Sequence, residues 1–123
     1  MSIRVLVADD ARFMRQLIRE IIEPEGFEVV GEAADGRAAV EEFTKLQPDL
    51  VTMDIVMPKR SGIDAVKEIL ALDPSAKVAM VSALGQESLV TEALAAGAVD
   101  YIVKPFKPDS VIATLRKIAE KAP

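Results

Sequence analysis

Cysteine and histidine are both absent from the 123-residue sequence, and their absence removes several kinds of chemistry. Without cysteine the chain has no disulfide, no thiolate metal site and no thiol nucleophile, which fits a reducing compartment. Without histidine it has no imidazole for acid–base catalysis and no Ser-His-Asp triad. Any chemistry must therefore depend on carboxylates, lysines and hydroxyls, and we expect a cytoplasmic protein.

Long apolar runs and an excess of positive charge are also missing. The first apolar run, Ile3–Ala8, stops at Asp9 and is too short for a signal sequence or a spanning helix. With 15 basic and 20 acidic residues the formal net charge is -5, whereas nucleic-acid binding requires positive charge. We expect a single domain over residues 1–123, without membrane insertion or direct contact with nucleic acid.

Short apolar runs alternate along the chain with segments of helical periodicity. This alternation is typical of strands and helices that build a parallel sheet. Strands are predicted over residues 3–8, 28–33, 50–53, 78–81 and 99–103. Helices are predicted at about residues 12–22, 37–46, 63–70, 86–96 and 108–120.

Several predicted strands are almost continuously apolar, which requires helices on both faces of the sheet. The sequence therefore predicts a doubly wound α/β fold with five parallel strands. The inward face of the first helix is predicted at Phe13, Leu17 and Ile21, with Met14 and Ile18 beside them. That of the last helix is predicted at Val111, Leu115 and Ile118.

Polar side chains stand at the carboxyl ends of four predicted strands. Asp9 and Asp10 follow the first strand, Asp54 the third, Ser82 the fourth and Lys104 the fifth. Ligands of doubly wound sheets bind beyond this edge. Crowded carboxylates repel one another unless a cation neutralises them, and oxygen ligands alone favour Mg²⁺ or Mn²⁺ over Zn²⁺. A divalent cation site is therefore predicted at this edge.

Each of these residues also has an ordinary structural explanation. Asp9 or Asp10 could cap the first helix, and Asp54 could belong to a turn. Ser82 could be a local hydrogen-bonding residue, and Lys104 a solvated charge. The coincidence of all five at one edge favours the functional interpretation.

Four short fragments carry the most specific signal. They are residues 7–10 (VADD), Met53-Asp54 followed by Pro58 and Gly62, residues 81–83 (VSA), and residues 103–106 (VKPF). Their order and spacing resemble the receiver domains of two-component response regulators, over the whole chain, and most of all the free-standing chemotaxis regulators. The resemblance implies a flavodoxin-like sheet with strand order 2-1-3-4-5.

The resemblance also implies a metal site and a phosphorylation site. Asp54 would accept the phosphoryl group. Asp10 and Asp54 would bind Mg²⁺ directly, Asp9 mainly through water, and the carbonyl of Val56 would complete the protein ligands. The chain would then be a signalling switch that catalyses only its own phosphorylation and dephosphorylation.

Further roles implied by the resemblance concern the phosphate and the output surface. Ser82 would bind a phosphoryl oxygen, and Lys104, in a cis peptide with Pro105, would pair with Asp54 or its phosphate. Tyr101 would be the aromatic that moves inward on activation, although a half-buried strand tyrosine is an equal alternative. The readout surface would span roughly residues 85–115.

The implied partners are a histidine kinase of the chemotaxis type, a motility-switch or other output protein, and, as a further candidate, a phosphatase. Val56 and Leu84 are apolar where many relatives place polar groups, which predicts slow loss of phosphate. Three alternatives stay open: a phosphatase of the haloacid-dehalogenase kind, a flavin-binding module, and a receiver cut from a larger methylesterase or DNA-binding regulator.

Overall fold

Five β-strands alternate with five α-helices in the structure, a computed structural model that describes residues 2–121. The strands are β1 (Ile3–Ala8), β2 (Phe27–Ala33), β3 (Leu50–Asp54), β4 (Val78–Ser82) and β5 (Asp100–Val103). The helices are α1 (Arg12–Ile22), α2 (Gly36–Leu46), α3 (Gly62–Leu72), α4 (Glu87–Ala95) and α5 (Pro108–Ala119). No helix within residues 2–121 has the length and apolar character that crossing a bilayer requires.

All neighbouring strands are parallel, and their order is β2-β1-β3-β4-β5. This confirms the predicted doubly wound sheet. The register aligns the carboxyl ends of the strands: Ala8 pairs with Met53, Asp54 with Val81, and Ser82 with Val103. The residues that follow β1, β3, β4 and β5 therefore emerge at the same edge of the sheet.

Two apolar cores lie on opposite faces of the sheet. One is covered by α2, α3 and α4 and centres on Met53 and Met80. The other is covered by α1 and α5 and includes Ile18 and Leu115. Residues of the central strands β1, β3 and β4 enter both cores, which explains why these strands are apolar almost throughout.

The predicted inward face of α5 is confirmed, but that of α1 is only partly right. Val111, Leu115 and Ile118 are buried as predicted. In α1 Ile18 is buried and Ile21 packs partly buried against the core, but the second fully buried residue is Ile22 and Phe13 is 72% exposed. The first turn of α1 starts at the carboxyl edge of the sheet, where there is less strand surface to pack against.

Gly62, at the start of α3, packs directly against the backbone of β3 and the residue after it. Its amide donates to the carbonyl oxygen of Ile55 over 2.8 Å. A Cβ atom added at Gly62 would lie 2.0 Å from the carbonyl oxygen of Asp54, far inside contact distance. The absence of a side chain therefore lets α3 begin against the chain segment that carries Asp54.

We expect Gly62→Ala to destabilise the protein by about 1–3 kcal/mol, because α3 must move away from the Asp54 carbonyl to make room. A helical glycine without such a contact would instead gain up to about 1 kcal/mol on replacement by alanine. Urea unfolding of the two proteins distinguishes these cases by sign. A variant as stable as the wild type, or more stable, would contradict the close-packing argument.

Candidate functional site

Three carboxylates meet at the carboxyl edge of the sheet, where β1 and β3 end side by side. One oxygen from each of Asp9, Asp10 and Asp54 lies within 4.8 Å of the others. Asp9 and Asp54 are buried, whereas Asp10 is exposed. The structure thus brings together the three acidic residues predicted to bind a cation, and it leaves the cluster open to solvent on the side of Asp10.

Lys104 supplies the positive charge of the cluster. Its Nζ atom lies 3.1 Å from Asp9 Oδ2 and 3.4 Å from Asp54 Oδ2, and it donates a hydrogen bond to Asp54. Burial alone would lower the pKa of Lys104, but the contacts with the two carboxylates outweigh burial and raise it. The ammonium group therefore stays charged. The peptide bond between Lys104 and Pro105 is cis, as the resemblance implied.

The environment of Asp54 raises the pKa of its carboxyl group. Burial raises its pKa, the charges of Asp9 and, less strongly, Asp10 raise it further, and the ammonium of Lys104 only partly compensates. The ionised form of the Asp54 carboxylate is thus disfavoured in the folded protein, and a further cation bound beside it would stabilise that form. Perturbation of this kind in a cleft is common at functional sites.

The oxygens of this cluster fit a hard divalent cation. Asp9 Oδ1 accepts a hydrogen bond from the amide of Ala11 over 2.9 Å. Asp9 Oδ2 is buried and has no hydrogen-bond partner within residues 2–121, since Lys104 is close but not aligned for a hydrogen bond. Such an oxygen suits an oxygen-only site for Mg²⁺. Neither Asp9 nor Asp10 caps α1, whose N-cap is Ala11, so that alternative is wrong.

Ser82 and Val56 lie next to the cluster at different depths. Ser82 is buried at the end of β4, and its carbonyl oxygen accepts a hydrogen bond from the Lys104 amide over 2.7 Å. Val56, two residues beyond Asp54, has a side chain that is 56% exposed. Leu84, two residues beyond Ser82, is 79% exposed. Apolar side chains therefore stand in solvent at both positions flanking the site residues.

Tyr101 lies on β5 with its side chain directed out of the core and 43% exposed. Together with Ser82 and Thr91 it lines a groove of about 410 Å³ between α4 and β5. The groove gives the ring space to change position beside Ser82. The structure thus places the predicted switch residue next to the predicted phosphate-binding residue.

Arg15 is a site neighbour that the sequence patterns missed. Its Nη1 group donates to the carbonyl oxygen of Asp9 over 2.7 Å, and its Nε group pairs with Glu32 on β2 over 2.8 Å. An arginine on a helix is ordinarily a solvated charge, so a pattern based on apolar residues does not identify it. Its spacing of three before Ile18 and seven before Ile22, on their buried stripe, was the available signal.

Comparison with known proteins gives concordant results. Residues 5–116 match the family described as response regulator receiver domain. The chemotaxis protein CheY of Thermotoga maritima is 53% identical over 120 residues, which cover 98% of this chain and 100% of that protein.

Two solved structures match nearly the whole fold. A chain of the CheX-CheY-BeF3-Mg²⁺ complex from Borrelia burgdorferi has a TM-score of 0.91 and 38% identity, and the match covers 97% of this chain and 90% of that one. The response regulator domain of Thermotoga maritima CheB has a TM-score of 0.87 and 41% identity, and the match covers 100% of both chains.

We expect Asp54→Asn to stabilise the metal-free protein at neutral pH. Because the pKa of Asp54 is raised, the folded state holds this proton more tightly than the unfolded state. The resulting loss of stability begins as pH rises past the ordinary carboxyl pKa of 3.8 and is complete above the raised pKa. Asparagine cannot ionise, so it removes this cost.

Thermal unfolding in EDTA at pH 8 and pH 3 measures the effect. At pH 8 the variant should melt about 2–8 °C higher than the wild type if the cost is about 1 kcal/mol. At pH 3 this advantage should disappear, because Asp54 is then protonated in both states. Equal melting temperatures at pH 8, or the same difference at both pH values, would contradict the assignment.

Proposed function

The chain belongs to the response regulator receiver domain family, and we propose that Asp54 is the acceptor of the phosphoryl group in its two-component switch. The observation that carries this proposal is the position of Asp54: it is buried in the carboxylate cluster, and the ammonium of Lys104 lies 3.4 Å from its Oδ2 atom. A receiver is a phosphorylation-activated signalling switch and not an enzyme with a separate substrate. Residues 1–123 are proposed to form one such domain.

In the proposed step a carboxylate oxygen of Asp54 attacks the phosphorus of a phosphohistidine. The new P–O bond forms as the P–N bond breaks, and the departing imidazole nitrogen takes up a proton from solvent. The product is an aspartyl phosphate. The phosphohistidine must belong to a kinase because this chain contains no histidine, and a small acyl phosphate could replace it in vitro.

Asp9, Asp10 and Asp54 would hold Mg²⁺, with the carbonyl of Val56 as a further ligand. Bound there, the ion would neutralise charge on the carboxylates and on the incoming phosphoryl group. Phosphoryl transfer depends mainly on positioning and charge stabilisation. The Lys104 ammonium and the Ser82 hydroxyl would donate hydrogen bonds to phosphoryl oxygens, and no acid or base from the protein is needed.

Phosphorylation would add about -1.5 to -2 charges at Asp54 and new acceptor oxygens for Ser82 and Lys104. Movement of Ser82 toward the phosphate would open space at the groove between α4 and β5, and Tyr101 would move into it. The phosphate shifts this equilibrium only by its differential affinity for the two conformations. The surface of α4, β5 and α5 is the proposed output surface.

The proposed partners follow from the relatives. The kinase would be a histidine kinase of the chemotaxis type, and the output protein would act in motility, in the cytoplasm, as the 53% identity to a chemotaxis protein CheY suggests. The Borrelia burgdorferi relative forms a complex with CheX, so a CheX-type or phosphatase partner is a further candidate. The match to the CheB domain supports an alternative, a receiver that serves a larger regulator.

Intact-mass spectrometry after incubation with acetyl phosphate and Mg²⁺ tests the proposed acceptor. We expect the wild type to gain about 80 Da, the mass of one phosphoryl group, and Asp54→Asn to gain nothing. Asp64→Asn, which alters an exposed aspartate in the first turn of α3, is the matched control and should be phosphorylated like the wild type. An equal adduct on Asp54→Asn would refute the assignment.

The exposed Val56 side chain generates a prediction about phosphate lifetime. An apolar group at this position cannot orient an attacking water molecule, so Val56→Asn should hydrolyse its aspartyl phosphate faster than the wild type, by about threefold to tenfold for a gain of about one hydrogen bond. The decay of the 80 Da adduct (about one phosphoryl group) after acetyl phosphate is removed measures this rate. A longer lifetime in the variant would refute the prediction.

A further inference from the structure

We propose that Arg15 is a positioning residue for the cation site, because it holds the backbone of Asp9 in the orientation that directs the Asp9 and Asp10 side chains to Asp54. Arg15 contributes no ligand and touches no reacting atom. The inference rests on the proposed function, since it concerns the same Mg²⁺ site. It adds a residue that acts through the backbone of a ligand.

The contacts of Arg15 join two strands through one side chain. Nη1 donates to the Asp9 carbonyl over 2.7 Å, and Nε donates to Glu32 Oε1 over 2.8 Å. The Arg15 side chain is only 14% exposed, and its bond to the Asp9 carbonyl is partly buried, whereas its bond to Glu32 is exposed. A planar guanidinium holds the donors of both bonds in a fixed fork, whereas the three donors of an ammonium group radiate from one nitrogen on a flexible stem.

These contacts fix Asp9 from both sides of its peptide backbone. Its amide donates directly to the carbonyl of Ala33 on β2 over 3.0 Å. Its carbonyl is tied, through Arg15, to Glu32, the residue before Ala33 on the same strand. Both the amide and the carbonyl of Asp9 are therefore tied to the end of β2. These two contacts fix the orientation of the backbone at the start of the Asp9-Asp10 pair.

The orientation of the Asp9 backbone determines where its two carboxylate oxygens lie. With Oδ1 bound to the Ala11 amide, the buried Oδ2 atom lies 3.1 Å from Lys104 and within the carboxylate cluster. Loss of the Arg15 contact would free the Asp9 carbonyl to rotate. Rotation would redirect both this oxygen and the following residue, Asp10, which is exposed and has no other anchor among the contacts of residues 2–121.

Arg19 provides a matched control on the same helix. It pairs with the other oxygen of Glu32 over 2.8 Å and with Glu23 over 3.1 Å, but its bonds end there and do not reach Asp9. The hydrogen bond from Arg19 and, after the opposing effect of burial, that from Arg15 lower the pKa of Glu32, so the shared anchor stays ionised. Removal of either arginine takes one positive charge and one ion pair with Glu32 from this network, and removal of Arg19 also takes its ion pair with Glu23.

Electrostatics and positioning predict opposite signs for Arg15→Ala. Removing a nearby positive charge should by itself strengthen the binding of a divalent cation, because less repulsion remains. Loss of positioning should weaken binding, because the carboxylates no longer converge. Supporting contacts to metal ligands are typically worth about 10–100-fold in metal affinity, which exceeds the opposing charge effect at this partly solvated site.

Calorimetric titration of the full chain with MgCl₂ tests the inference. We expect Arg15→Ala to bind Mg²⁺ about tenfold more weakly than the wild type, and Arg19→Ala to stay within about twofold. Arg15→Lys keeps the positive charge and loses only the forked guanidinium geometry, so it should weaken Mg²⁺ binding by about threefold. If Arg15→Ala does not fold, Arg15→Lys provides the test. The backbone amide NMR signal of Asp10 should shift in both Arg15 variants and not in Arg19→Ala.

Two results would overturn the inference while leaving the proposed function intact. One is unchanged or tighter Mg²⁺ binding by the Arg15 variants. The other is equal weakening by Arg19→Ala, which would indicate a general loss of helix packing. Failure of the wild type to bind Mg²⁺ would instead refute the proposed cation site, and the role of Arg15 with it.

Discussion

The rest of the site depends on the mutual repulsion of three carboxylates, those of Asp9, Asp10 and Asp54, which cluster beside the single ammonium group of Lys104. The sheet creates it, because β1 and β3 are parallel neighbours and end level with each other. Two buried carboxylates this close repel, and Lys104 can neutralise only part of their charge. The folded protein therefore carries a local excess of negative charge that a divalent cation would relieve.

This charge imbalance connects stability to signalling. The pKa of Asp54 is raised because burial and its acidic neighbours disfavour ionisation, so the resting site is less stable than an uncharged one would be. Binding of a cation and arrival of a phosphoryl group would both change the charge that Lys104 and Ser82 face. A receiver domain is suited to such control because a change at the sheet edge can reach the adjoining groove at Tyr101.

The fold and the location of the site could be predicted because each depends on a short-range pattern. Apolar runs indicated the strands, and the parallel arrangement brings their carboxyl ends to one edge, so Asp54 and Lys104 could be placed together. The face of α1 could not be predicted from apolar residues alone, because its buried stripe continues from Ile18 into a polar residue, Arg15. For the same reason Phe13, which the apolar pattern predicted on the inward face, is exposed.

The role of Asp54 as phosphoryl acceptor can be tested by identifying the phosphorylated residue, since borohydride reduction converts an aspartyl phosphate to homoserine. The wild-type protein would be treated with acetyl phosphate and Mg²⁺, reduced, digested and sequenced by mass spectrometry. We expect homoserine at residue 54 and unmodified aspartate at residues 9 and 10. Homoserine at Asp9 or Asp10, with Asp54 intact, would contradict this role.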